Sequence, residues 1–501
     1  MKIDRITNSK RNMLFGIISR ICYTVLPFIN RTIIIYVLGV EYLGLNSLFS
    51  SVLNILNLAE LGFGSAIVYS MYKPIAENDD NKICALLSYY KKIYRIIGLG
   101  ILIAGIIALA FIDKLVKGDV PIDVNIRIIF LIQLLNVVIS YFLWAYKTSL
   151  LSAFQREDLI SKISIITICL QYVVQFVSLF VFRNYYIYLV ILPIFTILNN
   201  ILKAIVTNKY YSKYKCRGTL DYETKSIITE KVRALLLHKI GGVVANSLDN
   251  IVISAFMGLV AIAIYNNYWY IYSSVCYFIA IFHNSVLAGI GNSIAMESRE
   301  NNYRKFNDLN FVNVWIVGWC SCCLMCLYQP FMELWVGKDL MYSLDVVILF
   351  VIYFYINMAR RTVVTFKEAS GLWTEDKYKP IVSAVFNIIL NIILIQIIGI
   401  PGVVISTILS FLVIEIPWET SVLFKKYFKI SVSSFIIAQL LYGLFFVVII
   451  MVTYLICTSI NIGLVGTLVF RGIVCLIIPN VAVLLVFKNK VKKSISYMKR
   501  K

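Results

Sequence analysis

Histidine, proline and carboxylates are scarce in this chain, and long polar stretches are missing altogether. Two histidines leave almost no material for histidine-based metal centres, and nine prolines in 501 residues exclude a proline-rich linker. Charged residues make up 15% of the chain, where a soluble domain carries roughly a quarter. A soluble protein of this length would divide into domains joined by polar linkers, and no such linker is found. Neither GxxxxGK[ST] nor GxGxxG occurs, so the chain has no phosphate loop for nucleotide hydrolysis. The 320-CSCCLMC-326 run lies in an apolar stretch without zinc-type spacing, so it reads as helix packing, and no metal is expected. A cleavable signal peptide is not expected either: the first apolar run is long, holds Arg20 and Arg31, and precedes no small-x-small site.

What the chain does have is apolar sequence in runs of about 20 residues, enough to cross a bilayer core of roughly 30 Å. Apolar residues make up 60% of it. Fourteen spans are expected, at 12–38, 44–68, 94–112, 126–146, 163–182, 186–206, 236–257, 262–290, 310–332, 343–366, 380–399, 402–424, 433–456 and 463–487. Lipid cannot satisfy open strand edges, and barrel strands are half this length, so the spans read as helices. Pro27, Pro193 and Pro417 are candidate kinks. The longer inner loops, 69–93 and 207–235, mix charge with apolar residues as amphipathic surface helices would.

The net charge of +21 raises the question of a nucleic-acid partner. Placement answers it. With the N-terminus inside, 39 of the 47 Lys and Arg fall in inner stretches or the span ends beside them and five in outer ones, leaving Arg20, Arg31 and Arg471 deeper within spans. That asymmetry is an orientation signal against an anionic leaflet, so nucleic acid is not a partner and both termini are cytoplasmic. Outer loops are short, the longest about a dozen residues near 113–125, which leaves the helix bundle as the place of function.

A faint duplication runs at an offset of 219: Leu38-Gly39 matches Met257-Gly258, and Ile75-Ala76 matches Ile294-Ala295. Tyr146-Lys147-Thr148 is echoed by Arg360-Arg361-Thr362. An even six-span offset gives parallel repeats about an axis along the membrane normal. The expected architecture is an all-α polytopic membrane protein of about fourteen helices. It comprises a six-helix lobe over 1–210, a cytoplasmic linker over 211–235, a second six-helix lobe over 236–430, and two extra helices with a basic tail over 431–501.

Five strings, taken with these features, carry a resemblance across essentially the whole chain: 34-IIYVLGVEYLGLNSLF-49, 57-NLAELGFGSAIVYSMYKPIAEND-79, 148-TSLLSAFQREDLISK-162, 247-SLDNIVISAFMGLVAIAIYNNYW-269 and 330-PFMELWVGKD-339. They resemble the polysaccharide-transporter (oligosaccharide flippase, O-antigen or Wzx-like) branch of the MOP exporter superfamily. That superfamily also holds the multidrug-and-toxin (MATE) extruders and the lipid II flippases. The resemblance implies a MATE-like pair of V-shaped lobes in the bacterial cytoplasmic membrane. It also implies passage of undecaprenyl-pyrophosphate-linked oligosaccharide from inner to outer leaflet, by proton or sodium antiport, for O-antigen, capsule or exopolysaccharide. Partners would be the lipid-linked oligosaccharide, membrane lipids and the polysaccharide polymerase machinery, with no cofactor beyond the coupling ion. The extruders generally have twelve spans; fourteen favour polyisoprenoid cargo, because extra helices can form a groove for the lipid tail.

Charges inside spans are costly in lipid and normally face a cavity or a partner. Arg20 and Glu60 are each eight residues from the inner face on antiparallel neighbours, near 12 Å depth at about 1.5 Å per residue. They either pair or line the cleft together. Arg31 lies eleven positions after Arg20 on nearly the same face, and guanidinium forks suit a pyrophosphate. Arg31 could equally snorkel to the outer interface. Asp249, with Asn250, Asn246 and Ser247 beside it, is a cleft-lining and ion-coupling candidate, or else a packing contact. Glu415 near Pro417 is a second coupling candidate, and His283 a third, able to titrate in the physiological range. Glu419 is expected to reach the inner interface, and Arg471 to bind a partner or snorkel. Against a transporter stand a membrane polymerase or glycosyltransferase, which usually carries its catalytic charges in sizeable outer loops, and a scaffold, which has no use for intramembrane charge. The other transport readings are a drug/cation antiporter and a lipid II flippase.

Overall fold

In the computed structural model the described residues are 5–492 without 61, 119, 373 and 461; side chains are also left aside at 5–7, 9, 10, 59 and most of 231–246. Among the described residues the chain is helices and turns, with no strand. Two compact units emerge from the packing, residues 1–263 and 264–501. The first contains α1 (Arg5–Val37), α2 (Val40–Leu56), α3 (Phe63–Glu77), α4 (Asp80–Leu109), α5 (Ile126–Phe142), α6 (Thr148–Ala153), α7 (Glu157–Phe182), α8 (Tyr185–Tyr210) and α9 (Tyr222–Met257). Next comes α10 (Leu259–Met296), whose first residues belong to the first unit. The second unit continues with α11 (Arg299–Val336), α12 (Leu344–Ala359), α13 (Arg361–Ala369), α14 (Lys379–Ile398), α15 (Ile400–Ser410), α16 (Ile416–Val422), α17 (Ser433–Thr458) and α18 (Gly463–Val486).

The helices start where the sequence offers a side-chain acceptor. Asp79, Asn125, Asn184, Asp221 and Ser298 each accept a hydrogen bond from a backbone N–H in the first turn of the helix that follows. Two glycines sit between successive helices with positive φ: Gly39 (φ +128°) joins α1 to α2, and Gly258 (φ +90°) joins α9 to α10. Only glycine holds such angles at little cost. Outward faces are apolar, as at Phe180, Leu440 and Leu455, while Asn302, Asn313 and Asn391 are fully buried. This inversion suits a lipid solvent, in which interhelical amides serve as glue.

Among the described residues eleven helices are long and apolar enough to cross a membrane, and the bent pair Ile126–Phe142 and Ala145–Ala153, taken as one span, makes a twelfth. The protein is therefore a multi-pass membrane protein. Two of the fourteen expected spans stand apart. The second is broken into α2 and α3 by a 3-10 turn at Asn57–Glu60, so neither piece reaches full length. The seventh falls in α9, where part of it lies outside the described residues and Ser247–Met257 is a shorter apolar helix.

The expected amphipathic surface helices are not separate elements. Residues 69–93 are the end of α3 and the start of α4, joined at Asn78 in the left-handed conformation (φ +56°). Residues 207–235 divide between α8, an irregular segment and α9. The helices α3, α4, α8 and α9 simply run on into these charged stretches, so their mixed composition imitated a lipid-surface helix. Within the first unit α9 lies on α2 and α3, which carries that unit past the 211–235 linker to Ala263. Gly44 permits the close approach of α2 to the first residue of α10, because a Cβ there would stand 2.2 Å from the Leu259 carbonyl oxygen.

Candidate functional site

The break in the second span positions its carboxylate. After the 3-10 turn, Gly62 takes φ +104°, and Glu60 faces α4 and α5. One carboxylate oxygen of Glu60 accepts from the Tyr94 hydroxyl at 2.5 Å, the other from the Tyr141 hydroxyl at 2.6 Å. The Tyr90 hydroxyl donates to Tyr94 at 2.7 Å, and the Tyr141 hydroxyl also approaches Asn57 Oδ1 at 3.2 Å. Rings hold the phenols in place: Tyr94 lies 4.3 Å from Tyr90 and 5.3 Å from Tyr141, centroid to centroid. A phenol is both donor and acceptor, so Tyr90, Tyr94 and Glu60 form one chain of hydrogen bonds ending on a carboxylate. Among the described residues Glu60 is met by neutral groups and makes no ion pair with Arg20. Sequence reasoning found Glu60 but missed the tyrosines, because aromatics in an apolar span look like packing.

Arg20 is exposed and Arg31 half-buried on α1, which packs chiefly on α7. Between them and next to Arg31, Asn30 is buried and donates to the Tyr188 hydroxyl at 2.8 Å. Asp249 is buried on α9 with Ser247, while Asn250 donates to Ser51 Oγ of α2 at 2.9 Å. The Asn246 side chain lies outside the described residues. Asp249 and Asn250 thus share the stretch of α9 that carries a polar contact to α2.

The second unit holds a denser arrangement. Arg360 Nη1 lies 2.9 Å from Glu415 Oε2 and 2.6 Å from Glu419 Oε2, and Lys379 Nζ lies 3.1 Å from Glu415 Oε2 and also binds Glu419. Two cations and two carboxylates close a neutral set. Arg360 also sits over the Phe411 ring at 4.5 Å. Pro417 explains the local backbone: it has no N–H and crowds the carbonyl four residues back, and Phe411–Glu415 widens into a π-helical turn. Glu415 is therefore neutralised, and Glu419, expected at the interface, is buried at 1% exposure. Arg360 and Lys379 were counted as loop charges by position alone, since only the fold turns them inward. A second buried pair, Lys367 with Asp376, lies nearby in sequence.

His283 is also buried. Its Nε2 lies 2.8 Å from Asn313 Oδ1 and its Nδ1 2.9 Å from Thr365 Oγ1. Asn313 Nδ2 donates to the Met358 and Ala359 carbonyls, which leaves Oδ1 as the acceptor and assigns the proton to Nε2. Thr365 then has two choices: its hydroxyl donates to Nδ1, or to the Arg361 carbonyl at 2.8 Å. A neutral imidazole takes the first arrangement and an imidazolium the second, so the site accommodates either proton state.

Arg471 is half-buried and donates to the Cys326 carbonyl at 3.1 Å, joining α18 to α11. Three buried thiols from three helices, Cys326, Cys457 and Cys475, have sulfurs within 4.8 Å of one another. Such a set can hold a soft, thiophilic ion. No sequence spacing could show it, because one thiol comes from each of α11, α17 and α18.

No protein-family model and no curated protein matches the sequence. The fold is MATE- and MurJ-like. The chain is similar to the lipid II flippase MurJ in its inward closed conformation, with TM-score 0.68 and 17% identity, covering 96% of this chain and 100% of that one. It is also similar to a multidrug resistance MATE family transporter of the MOP superfamily, inward-facing, at TM-score 0.62 and 15% identity over 80% of this chain and 94% of that one. A point mutant of the Vibrio cholerae MATE transporter VcmN matches at TM-score 0.53 and 14% identity over 84% and 98%. These neighbours are transporters and flippases rather than enzymes.

Proposed function

We propose that the chain is a flippase that carries an undecaprenyl-pyrophosphate-linked oligosaccharide across the bacterial cytoplasmic membrane for surface polysaccharide synthesis, its termini in the cytoplasm. The observation that carries this reading is the extent of the likeness to the lipid II flippase, 96% of this chain and all of the other. The extruder matches leave a sixth to a fifth of the chain uncovered, a share comparable to that of α17, α18 and the tail. On this reading the C-terminal pair accompanies a polyisoprenoid-linked cargo rather than a small cation.

Arg20 and Arg31 would offer guanidinium groups to the pyrophosphate along α1. Coupling to H+ or Na+ would use a carboxylate held by neutral donors, which favours Glu60; Asp249 stands second, by its burial on α9. His283 can change its proton state without stranding a partner. Glu415 is the weakest of the coupling candidates, because both of its cationic neighbours would lose their counter-charge.

The test is transport by purified protein in proteoliposomes. A fluorescent polyprenyl-pyrophosphate disaccharide should move to the outer leaflet faster with an imposed ion gradient, and Arg20→Ala should slow it. Export of an organic cation with no movement of the pyrophosphate-linked sugar would overturn the reading in favour of a drug antiporter. Lipid II moving at the same rate as the oligosaccharide would assign the cargo to the lipid II class.

A further inference from the structure

A second polar site lies in the first unit, lined by other residues than those that hold Glu60. It is a pocket of about 450 Å³ between α4, the break joining α5 to α6, the end of α8 and the start of the segment that follows. That volume is in the range of small-ligand pockets, roughly 300–1,000 Å³. Three lysines line it, Lys91, Lys147 and Lys215, and no carboxylate does. Lys147 Nζ is held by Asn208 Oδ1 at 2.8 Å, and Lys91 Nζ lies 5.9 Å from the centre of the Tyr146 ring. The nearby carboxylate, Asp80, is already engaged by Lys213 at 2.8 Å.

Three ammonium groups around one cavity repel one another unless an anion enters. Uncharged polar residues complete the lining, among them Thr207 and Ser212. The floor is stiff, since Phe154 stacks on Tyr211 at 4.5 Å and the Tyr146 side chain is buried. Depth is informative too. Lys91 falls three residues before the expected span at 94–112, and Asn208 two residues after the one ending at 206, so the pocket sits at headgroup level on the face read as cytoplasmic.

We propose that this pocket binds a phosphate-bearing anion, supplied either by the headgroup of an anionic lipid or by soluble phosphate. Its occupant ties the 211–216 segment, which leads into α9, to α4 and α6. The basic surplus then has a local role beside its part in orientation: a fixed site in place of a diffuse attraction to an anionic surface.

Cys216 lines the same pocket and supplies the readout. Full-length protein is reconstituted in phosphatidylcholine alone or with added phosphatidylglycerol, and maleimide modification of Cys216 is followed by peptide mass spectrometry. Phosphatidylglycerol should slow modification about fivefold or more, as an occupied fraction protects the thiol. Lys147→Gln with Lys215→Gln should abolish that protection, each protein being compared with itself in phosphatidylcholine. Slowing by inorganic pyrophosphate in phosphatidylcholine would support the site and assign the soluble source. An unchanged rate with both probes overturns the proposal, and so does equal slowing in the wild type and the double variant, which would reflect general surface charge. Transport plays no part in this readout, so its failure and that of the flippase reading are separable.

Discussion

The two units each bring a carboxylate into the membrane bundle, and they treat its charge in opposite ways. In the first, Glu60 at the helix break is met by two phenols and no cation among the described residues. In the second, Glu415 and Glu419 are matched by Arg360 and Lys379. A carboxylate among neutral donors can gain or lose a proton or a metal cation without leaving an orphaned charge beside it. A closed set of four cannot. The difference separates a site able to work from a site that fixes helices, though a glutamate stands at the centre of each.

That separation is most exposed at Arg360. Arg360→Met removes one cation and leaves Lys379 to hold two buried carboxylates, so stability should fall by about 3–5 kcal/mol, the cost of breaking a buried pair from one side. Thermal unfolding in detergent should show the largest drop of any variant considered. A variant that unfolds normally while losing transport would move the working site to the second unit. His283→Leu comes next. It strands the Asn313 side-chain carbonyl, while the Thr365 hydroxyl keeps the Arg361 carbonyl, costing about 1–3 kcal/mol in the same assay. His283→Gln, which keeps both contacts, should recover most of that loss.

How much of this was legible in the sequence depends on the range of the signal. Helices, their caps at Asp79, Asn125 and Asn184, and the paired glycines at 39 and 258 are local, and the residues announce them. Glu60 and His283 were visible as polar residues in apolar runs. Their partners were not, since Tyr94, Tyr141, Asn313 and Thr365 come from other helices and look ordinary in their own. Arg360 and Lys379 illustrate the opposite failure. Position near a span end marked them as solvated loop charges, whereas the bend between α12 and α13 and the start of α14 bring them to Glu415 and Glu419. The break in the second span was equally hidden, because Gly62 and Gly64 in an apolar run are compatible with a continuous membrane helix.

Glu60→Gln sharpens the comparison from the first unit. The amide keeps one acceptor and the shape but loses the charge and the second acceptor, so one phenol must turn elsewhere. Ion-driven transport should fall about tenfold, equivalent to roughly 1.4 kcal/mol, with a change in unfolding temperature much smaller than for Arg360→Met. Equal losses in the two assays would make Glu60 a structural group like Glu419.

Tyr141→Phe asks the finest question, whether the phenols merely pack around Glu60 or hold its carboxylate in place. The ring remains against Tyr94 at 5.3 Å, so the change deletes one hydrogen bond to the carboxylate and the approach to Asn57, about 1 kcal/mol of stability. Tyr94 still donates to the other oxygen and keeps its bond from Tyr90. If the phenols hold the carboxylate in its working geometry, losing one should slow ion-driven transport about fivefold, equivalent to roughly 1 kcal/mol. The matching change in the other unit, Asn357→Ala beside Arg360, should leave the transport rate where it was. A rate that stays fixed in Tyr141→Phe while the unfolding temperature falls would make the tyrosines a packing layer and reduce the contrast between the units to one of stability.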